Sequence, residues 1–404
     1  MTTVHASVII PVWNGRSYLP QCLDALLAQE GPALEAIVVD NASADGSADL
    51  VAQRYPTVTL VRERSNLGFA GACNAGLRVA TGEILVLLNQ DTQVGRGWLN
   101  AVVGAFEQAL RGVVGCKISY PDGRTIQHAG GWIEWPRGLA HHYGQGDIDQ
   151  GQWDTGREVD YVSGAALALH RRVMDQIGLL DEGFWPGYFE DVDLCQRARE
   201  AGYTVWYEPR AMLFHEETAS FSEAVSRSRA YHRGRLRYLL KHLSPRRFLA
   251  EFIPAEQAYL RALGDESAAG LLRAAYLEAI STAAEIIPAQ WPEQGELYEE
   301  VLSALEGLYQ PQGRGSMSLV PPLQEYRFRS SVPVIGPLIA RFRSAWYGAA
   351  ARWAVRNLMW QQEAINQQQE ASVRSLVALA RAVGRLRLDL DGTGNERRER
   401  RADR

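Results

Sequence analysis

An open α/β sheet flanked by helices is the fold class this sequence predicts for its N-terminal part, and three observations carry that prediction. Short unbroken apolar runs recur along the chain, stretches of helical period separate them, and polar residues gather where the runs end. Ala6–Val12 (ASVIIPV) is the first such run, the pattern of a strand buried on both faces of a parallel sheet. After a Trp-Asn-Gly turn, Leu19, Cys22, Leu23, Leu26 and Leu27 repeat at helical spacing. Ala36–Asp40 (AIVVD) is a second buried strand, followed by Asn-Ala-Ser-Ala-Asp-Gly, which supplies turn and helix-cap residues. Val58–Arg62 and Ile84–Asn89 (ILVLLN) predict two further strands, with a helix over Gly71–Ala80 between them.

From Val113 to Arg171 the pattern shortens into strands and aromatic, Gly-rich loops. A helix is predicted over Val192–Ala201, then short strands at Thr204–Tyr207 and Ala211–Phe214, and an Arg-rich helix over Ser222–His242 closes the domain. Beyond Pro245 the chain turns Ala-, Leu- and Glu-rich. The expected organisation is a catalytic domain over 1–244, a helical extension over 245–309 and a linker over 310–331. An amphipathic helical region follows over 332–390, then a disordered tail over 391–404. In the amphipathic region Ile335, Leu338, Ile339, Phe342, Trp346 and Trp353 alternate with Arg, a pattern open to membrane-surface contact, a partner helix or packing on the chain's own catalytic domain. Val373, Leu376, Leu379, Val383 and Leu386 also suit a short coiled coil, hence self-association.

Composition narrows the function classes. The 404 residues are 46% hydrophobic and 22% charged, as in a soluble globular protein, and no apolar run reaches the ~18–20 residues that span a bilayer. The first residues enter a strand almost at once, with neither a basic region nor a cleavage site, so no signal peptide is expected. A net charge of −5 gives no electrostatic reason to bind nucleic acid. Cys22, Cys73, Cys116 and Cys195 are scattered without a CxxC pair, which favours reduced, buried thiols in the cytoplasm over disulfides or a zinc site.

In an open α/β sheet, ligands bind beyond the carboxyl ends of the strands. The polar exceptions fall there: Pro11-Val12-Trp13-Asn14-Gly15 after the first strand, Asp40-Asn41 after the second, and Asn89-Gln90-Asp91-Thr92 after the fourth. Each alone fits a turn; three on strands expected to be neighbours point to a ligand. Asn89 and Asp91 share one side of the strand end by the two-residue period, and a carboxylate there suits Mg2+ or Mn2+. Further on, Phe189-Glu190-Asp191-Val192-Asp193 puts three carboxylates at a helix start. Their mutual repulsion raises a pKa, whereas the helix terminus lowers it. The adjacent His141-His142 in a Gly-rich loop reads as solvent-exposed rather than metal-binding, because neighbouring residues do not share a helix face.

VIIPVWNGRSYLPQCLDALLAQ, IVVDNASADGS, NLGFAGACNAGLRVATGEILVLLNQDT and FEDVDLCQRAREAGY, in this order and spacing, resemble the family 2 glycosyltransferases, most of all their rhamnosyltransferase-like branch. The resemblance covers roughly residues 4–244. It implies the GT-A fold, a Rossmann-like nucleotide-binding mixed sheet, and inverting transfer of a hexose or deoxyhexose from a nucleoside-diphosphate sugar. The implied acceptor is a glycan or lipid-linked glycan, in cell-surface polysaccharide synthesis at the cytoplasmic face of a membrane. It implies that Pro11, Trp13, Asn14, Asp40, Gly68, Asn74, Asn89 and Asp91 bind the donor, and that Asp191 is the catalytic base. Gly164 and Glu190 would border the acceptor, and His215 would join Asp91 on a divalent cation, Mn2+ or Mg2+, where a lone histidine after a strand otherwise reads as structural. The aromatic loop from Trp185 through Tyr188 to Phe189 suits either stacking on an acceptor sugar or core packing. Asn89 stands where the family usually has the first Asp of Asp-x-Asp, so one expected carboxylate is missing.

Two competing readings are set by particular residues. A nucleotidyltransferase needs a Gly- and Arg/Lys-rich loop after the first strand, where only Arg16 is offered. A catalytically silent nucleotide- or glycan-binding module fits the Asn89 departure but not the retention of Asp91 and Asp191. A dehydrogenase is disfavoured because no G-x-G-x-x-G follows the first strand.

Overall fold

The computed structural model describes residues 5–216, 224–263, 266–309, 375 and 377–383. Two compact units divide the chain, Met1–Thr282 and Ala283–Arg404. The first is built on a mixed sheet. Its parallel half is β1 (His5–Val12), β2 (Ala33–Asp40), β3 (Thr59–Arg62) and β4 (Ile84–Leu88), with α1 (Leu19–Leu27), α2 (Ser47–Arg54) and α3 (Gly68–Val79) as crossovers. The chain then continues through β5 (Thr92–Val94), α4 (Trp98–Ala105), β6 (Arg111–Ser119), β7 (Ile126–His128), β8 (Gly131–Glu134), β9 (Leu139–His142), β10 (Arg157–Glu158) and β11 (Ala166–His170). After α5 (Arg171–Ile177) and α6 (Glu190–Glu200), β12 (Thr204–His215) returns to the sheet and α7 (Ala224–His242) covers it.

The strand order is β10-β12-β6-β11-β4-β1-β2-β3, with β5 on β12, β7 on β6, and β8–β9 as a separate hairpin. β1 pairs in parallel with both β2 and β4, so the chain progresses outward from one side of β1 and then crosses to the other. That reversal opens a crevice at the carboxyl ends of β1 and β4, where ligands bind in such sheets. β11 runs antiparallel between β4 and β6, which brings the 163–165 turn beside the end of β4.

The unbroken apolar runs have the predicted cause, since both faces of the sheet are covered. Val8, Ile10 and Val38 pack with Leu23, Val51 and Trp98 of α1, α2 and α4. Ile9, Ile37 and Val39 face the other way, onto Cys73 of α3, Val192 of α6 and Tyr238 of α7. α3 lies close on that face because Gly76 leaves room: a Cβ there would sit 2.3 Å from Ile9 Cγ2. All four cysteines are free and buried, and burial pushes the Cys22 and Cys116 thiols up to about 12, which makes them packing residues.

Several expected boundaries move. The two short strands expected at 204–207 and 211–214 are one strand, β12, whose pairing with β6 shifts register between Glu208 and Met212. Past α7, the chain forms α8 (Pro245–Arg247), a π turn (Phe248–Phe252), α9 (Ile253–Ala262) and α10 (Glu266–Gln290). Residues 245–282 belong to the same unit as the sheet. Arg235 of α7 and Glu256 of α9, both fully buried, pair with one another, Tyr276 of α10 donates to Glu256 at 2.6 Å, and Arg137 reaches Glu256 at 3.2 Å. In the second unit, α11 (Tyr298–Tyr309) packs on residues 377–383, with Tyr298 Oη donating to Ala380 O at 2.6 Å. Apart from 375 and 377–383, the expected linker, amphipathic region and tail lie outside the described residues. No described helix is long and apolar enough to cross a membrane.

Candidate active site

The crevice is lined by turns that hold one another. Gln90, buried just after β4, accepts from Trp13 N at 3.0 Å and donates back to Trp13 O at 3.3 Å. Trp13 is thereby fixed by its backbone while its ring stays exposed. Asn14 sits at φ 52°, in the left-handed region an Asn side chain tolerates, and its Oδ1 accepts from Ala44 N at 2.8 Å. Asp40 is buried at the end of β2 and accepts from Ser43 N at 3.4 Å, while Pro11 remains partly exposed beside it in β1. Asn41, noted in the sequence only as part of the polar end of the second strand, is the buried centre of this region. It accepts from Leu67 N at 2.8 Å and donates to Gly68 O at 3.2 Å and Asn66 Oδ1 at 3.1 Å, so it sets the start of α3.

Asn89, Asp91 and His215 come together. Asp91 Oδ1 lies 3.2 Å from His215 Nε2, and Asn89 Nδ2 lies 3.3 Å from the same nitrogen. Glu216 N donates to Asp91 O at 3.0 Å, which ties the end of β12 to the turn after β4. Asp91 and His215 line a cavity of about 190 Å3 with Tyr18, Phe214 and Glu216. One carboxylate oxygen and one imidazole nitrogen fit a divalent cation that takes its remaining ligands from water and phosphate oxygens. Among the described residues, no cluster of three or more His, Cys, Asp or Glu offers a fuller cage.

Asp191 and its surroundings adjoin this cluster. Asn89 N donates to Ala165 O at 2.9 Å, and the neighbouring Gly164 N donates to Asp191 Oδ2 at 2.7 Å. Asp191 stands in the first turn of α6 and accepts a second bond from Val192 N at 2.8 Å. Burial raises its pKa above the ordinary aspartate value, and the amides of Gly164 and Val192 hold that rise back. Glu190 is buried as well; burial first and the Asp191 carboxylate second push it well up, and its Oε2 has no hydrogen-bond partner. Asp193 differs. Burial would raise it, but His242, Lys241 and Arg197 hold it far below the usual range, so it anchors α6 to α7.

The loop before α6 carries the backbone strain of the site. Tyr188 and Phe189 have φ of 76° and 75°, a conformation costing about 1–3 kcal/mol for each such residue. Packing enforces it: Gly234 of α7 leaves space where a Cβ would lie 2.4 Å from Tyr188 O. Phe69 N donates to Pro186 O at 2.9 Å, and a Cβ on Gly68 would meet Trp185 Cδ1 at 2.6 Å, so the start of α3 and this loop touch. Trp185 is exposed, and Tyr188 turns its ring edge-on to Tyr231 of α7.

Two expectations are corrected. Asn74 is not a free donor-side group: it is buried, donates to Leu180 O and Glu182 Oε1 at 2.9 Å each, and accepts from Leu180 N at 3.1 Å. Its amide is used up in joining α3 to the segment before α6. His141 and His142 are not an exposed pair either. His141 stacks on Trp132, while His142 packs against buried His128, their Nδ1 atoms 2.6 Å apart, and burial lowers His142 to about 4. Alternation along β9 explains the split, because its two histidines face opposite sides of the hairpin.

Comparison with known proteins completes the assignment. A family model described as glycosyl transferase family 2 matches residues 7–175. An N-acetylglucosaminyl-diphospho-decaprenol L-rhamnosyltransferase of Mycobacterium tuberculosis is 30% identical over 250 residues, which cover 56% of this chain and 81% of that protein. The chain belongs to glycosyl transferase family 2. An uncharacterized protein of Sinorhizobium fredii is 31% identical over 232 residues, 54% of this glycosyltransferase and 25% of that relative. An O-antigen biosynthesis protein of Myxococcus xanthus is 29% identical over 227 residues, 54% of this chain and 18% of its own length. The chain therefore spans only a quarter or less of those two relatives. The solved structure of GalNAc-T7 with UDP, GalNAc and Mn2+ is 16% identical at a TM-score of 0.48, covering 59% of this chain and 48% of that one. At that distance neither ligand nor mechanism transfers.

Proposed function

We propose that the first unit transfers a hexose or deoxyhexose from a nucleoside-diphosphate sugar to a hydroxyl of a glycan or lipid-linked glycan, with inversion. The observation that carries this reading is the Asp191 carboxylate, raised by burial and held by two backbone amides one turn away from the strand end that bears Asp91. Asp191 takes the proton of the acceptor hydroxyl as that oxygen bonds to the anomeric carbon. The bond from that carbon to the diphosphate breaks on the opposite side. Trp13, Asn14 and Asp40 border the nucleotide, and exposed Trp185 offers a flat face to the acceptor sugar. Asp91 and His215 would hold Mn2+ or Mg2+, which would supply charge neutralisation at the leaving diphosphate. The relatives named for rhamnosyl transfer and O-antigen biosynthesis support a role in cell-surface polysaccharide synthesis.

Asp191→Asn tests the assignment. Its expected result is a roughly 10²–10⁴-fold loss of kcat with nucleotide binding kept, measured by product formation and by thermal shift with UDP-, dTDP- and GDP-sugars. The wild-type rate should fall as pH drops through the raised Asp191 value, above the ordinary 3.8, because the protonated carboxyl cannot accept. Transfer that survives the substitution would remove Asp191 as base.

A further inference from the structure

His215 has two ring nitrogens, and only one faces the catalytic cavity. Nε2 lies 3.2 Å from Asp91 Oδ1 and 3.3 Å from Asn89 Nδ2. Nδ1 points the opposite way, onto Gln127 Oε1 at 2.8 Å, and both Gln127 and His215 are buried. An amide oxygen is an acceptor only, so the nitrogen it meets must carry the hydrogen. With the hydrogen held on Nδ1, Nε2 is the ring atom turned to the cavity, within reach of the Asn89 amide. A lone pair and a carboxylate oxygen this close repel one another unless a positive centre lies between them, and such a pair is what a divalent cation selects.

Gln127 reaches His215 from β7, a three-residue strand at the margin of the sheet, paired to β6. Strand alternation puts its neighbour His128 on the other face, where His128 Nε2 accepts from Ser163 N at 3.2 Å, next to the Gly164 amide that holds Asp191. The position of Gln127 is thus set by backbone pairing and burial, independently of any ligand.

We propose that Gln127 is a positioning residue, holding His215 as the Nδ1–H tautomer and so presenting the Nε2 lone pair to the cation. The proposal rests on the reading of Asp91 and His215 as cation ligands. It also gives Asn89 a role: in place of the usual carboxylate, its amide donates to Nε2 and helps to orient the ring before the cation arrives.

The test uses the full chain and Mn2+ alone, with binding read from the water proton relaxation of Mn2+ solutions. Gln127→Leu removes the acceptor, and a 10–100-fold weaker Mn2+ affinity is expected, the usual scale for losing the partner of a ligating histidine. Gln127→Glu keeps an acceptor at the same place and should bind within a few-fold of wild type. In the metal-free wild-type protein, long-range 15N–1H correlations of the His215 ring should show the hydrogen on Nδ1; a hydrogen on Nε2 alone would overturn the proposal even if Gln127→Leu failed to fold. Wild-type Mn2+ binding by Gln127→Leu, alongside its loss in His215→Ala, would overturn the role of Gln127 and leave the ligands standing. Unchanged binding in both His215→Ala and Asp91→Ala would overturn the ligand reading and the proposal with it.

Discussion

The proposed donor side and the proposed base side of the cleft are built in opposite ways. On the donor side the polar residues leave the ends of parallel strands, and the bonds that order them join neighbouring turns, Trp13 with Gln90, Asn14 with Ala44, Asn41 with Leu67. On the base side Asp191 is held by Gly164 and its own helix, behind a strained Tyr188-Phe189 pair packed against α7. The first arrangement follows from topology, since carboxyl ends of parallel strands converge on one edge whatever the side chains. The second exists only after distant helices dock, and it places buried charge and backbone strain beside Asp191.

The contrast can be broken most forcefully at the support of the base side. Arg235→Met leaves the buried Glu256 without its main partner, and a destabilisation of roughly 3–5 kcal/mol is expected in urea unfolding. Burial alone would raise Glu256, yet Arg235 holds it below its usual value, so the loss should be greatest where that carboxyl is ionised. Transfer should fall more than nucleotide binding in this variant, because α7 packs on the loop before Asp191.

A donor-side change should do the reverse. Asn41→Ala leaves Leu67 N and Gly68 O without this partner, at about 1–3 kcal/mol, and should weaken nucleotide binding while the acid limb of the rate profile stays where it was. A shifted acid limb would show that the two sides are less separate than their hydrogen bonds indicate.

The smallest effect concerns His242. Burial would lower its pKa, but Asp193 and Glu200 raise it above 6.5, so its proton stabilises the fold fully below about that pH. This contribution is lost as pH rises through the raised folded value. His242→Gln should therefore lower the melting temperature at pH 6 and match wild type at pH 9. Equal differences at both values would mean that only packing is lost.

Much of this was legible beforehand because it rests on local pattern. Ala6–Val12 and Ile84–Asn89 announce doubly covered strands through continuous apolar runs, and the residues after them announce the ligand edge. Asn41 was hidden as an ordinary turn residue, and Gln127 had no signal at all in Ile126-Gln127-His128, a three-residue strand too short to show a period. His141-His142 misled because its strand was read as a loop, where alternation does not apply.

By itself, the sequence determined the parallel half-sheet, its carboxyl edge and the kinds of residue placed there, since apolar period and turn chemistry act over a few residues. Tertiary structure alone decided which of those residues meet. It drew Asn74 into a joint between α3 and Leu180, set His215 from residue 127, and closed Asp191 under Gly164. The physical reason is range: a hydrogen bond spanning 27 to 126 positions leaves no mark in the spacing of either partner, and appears only once the sheet order has brought them side by side.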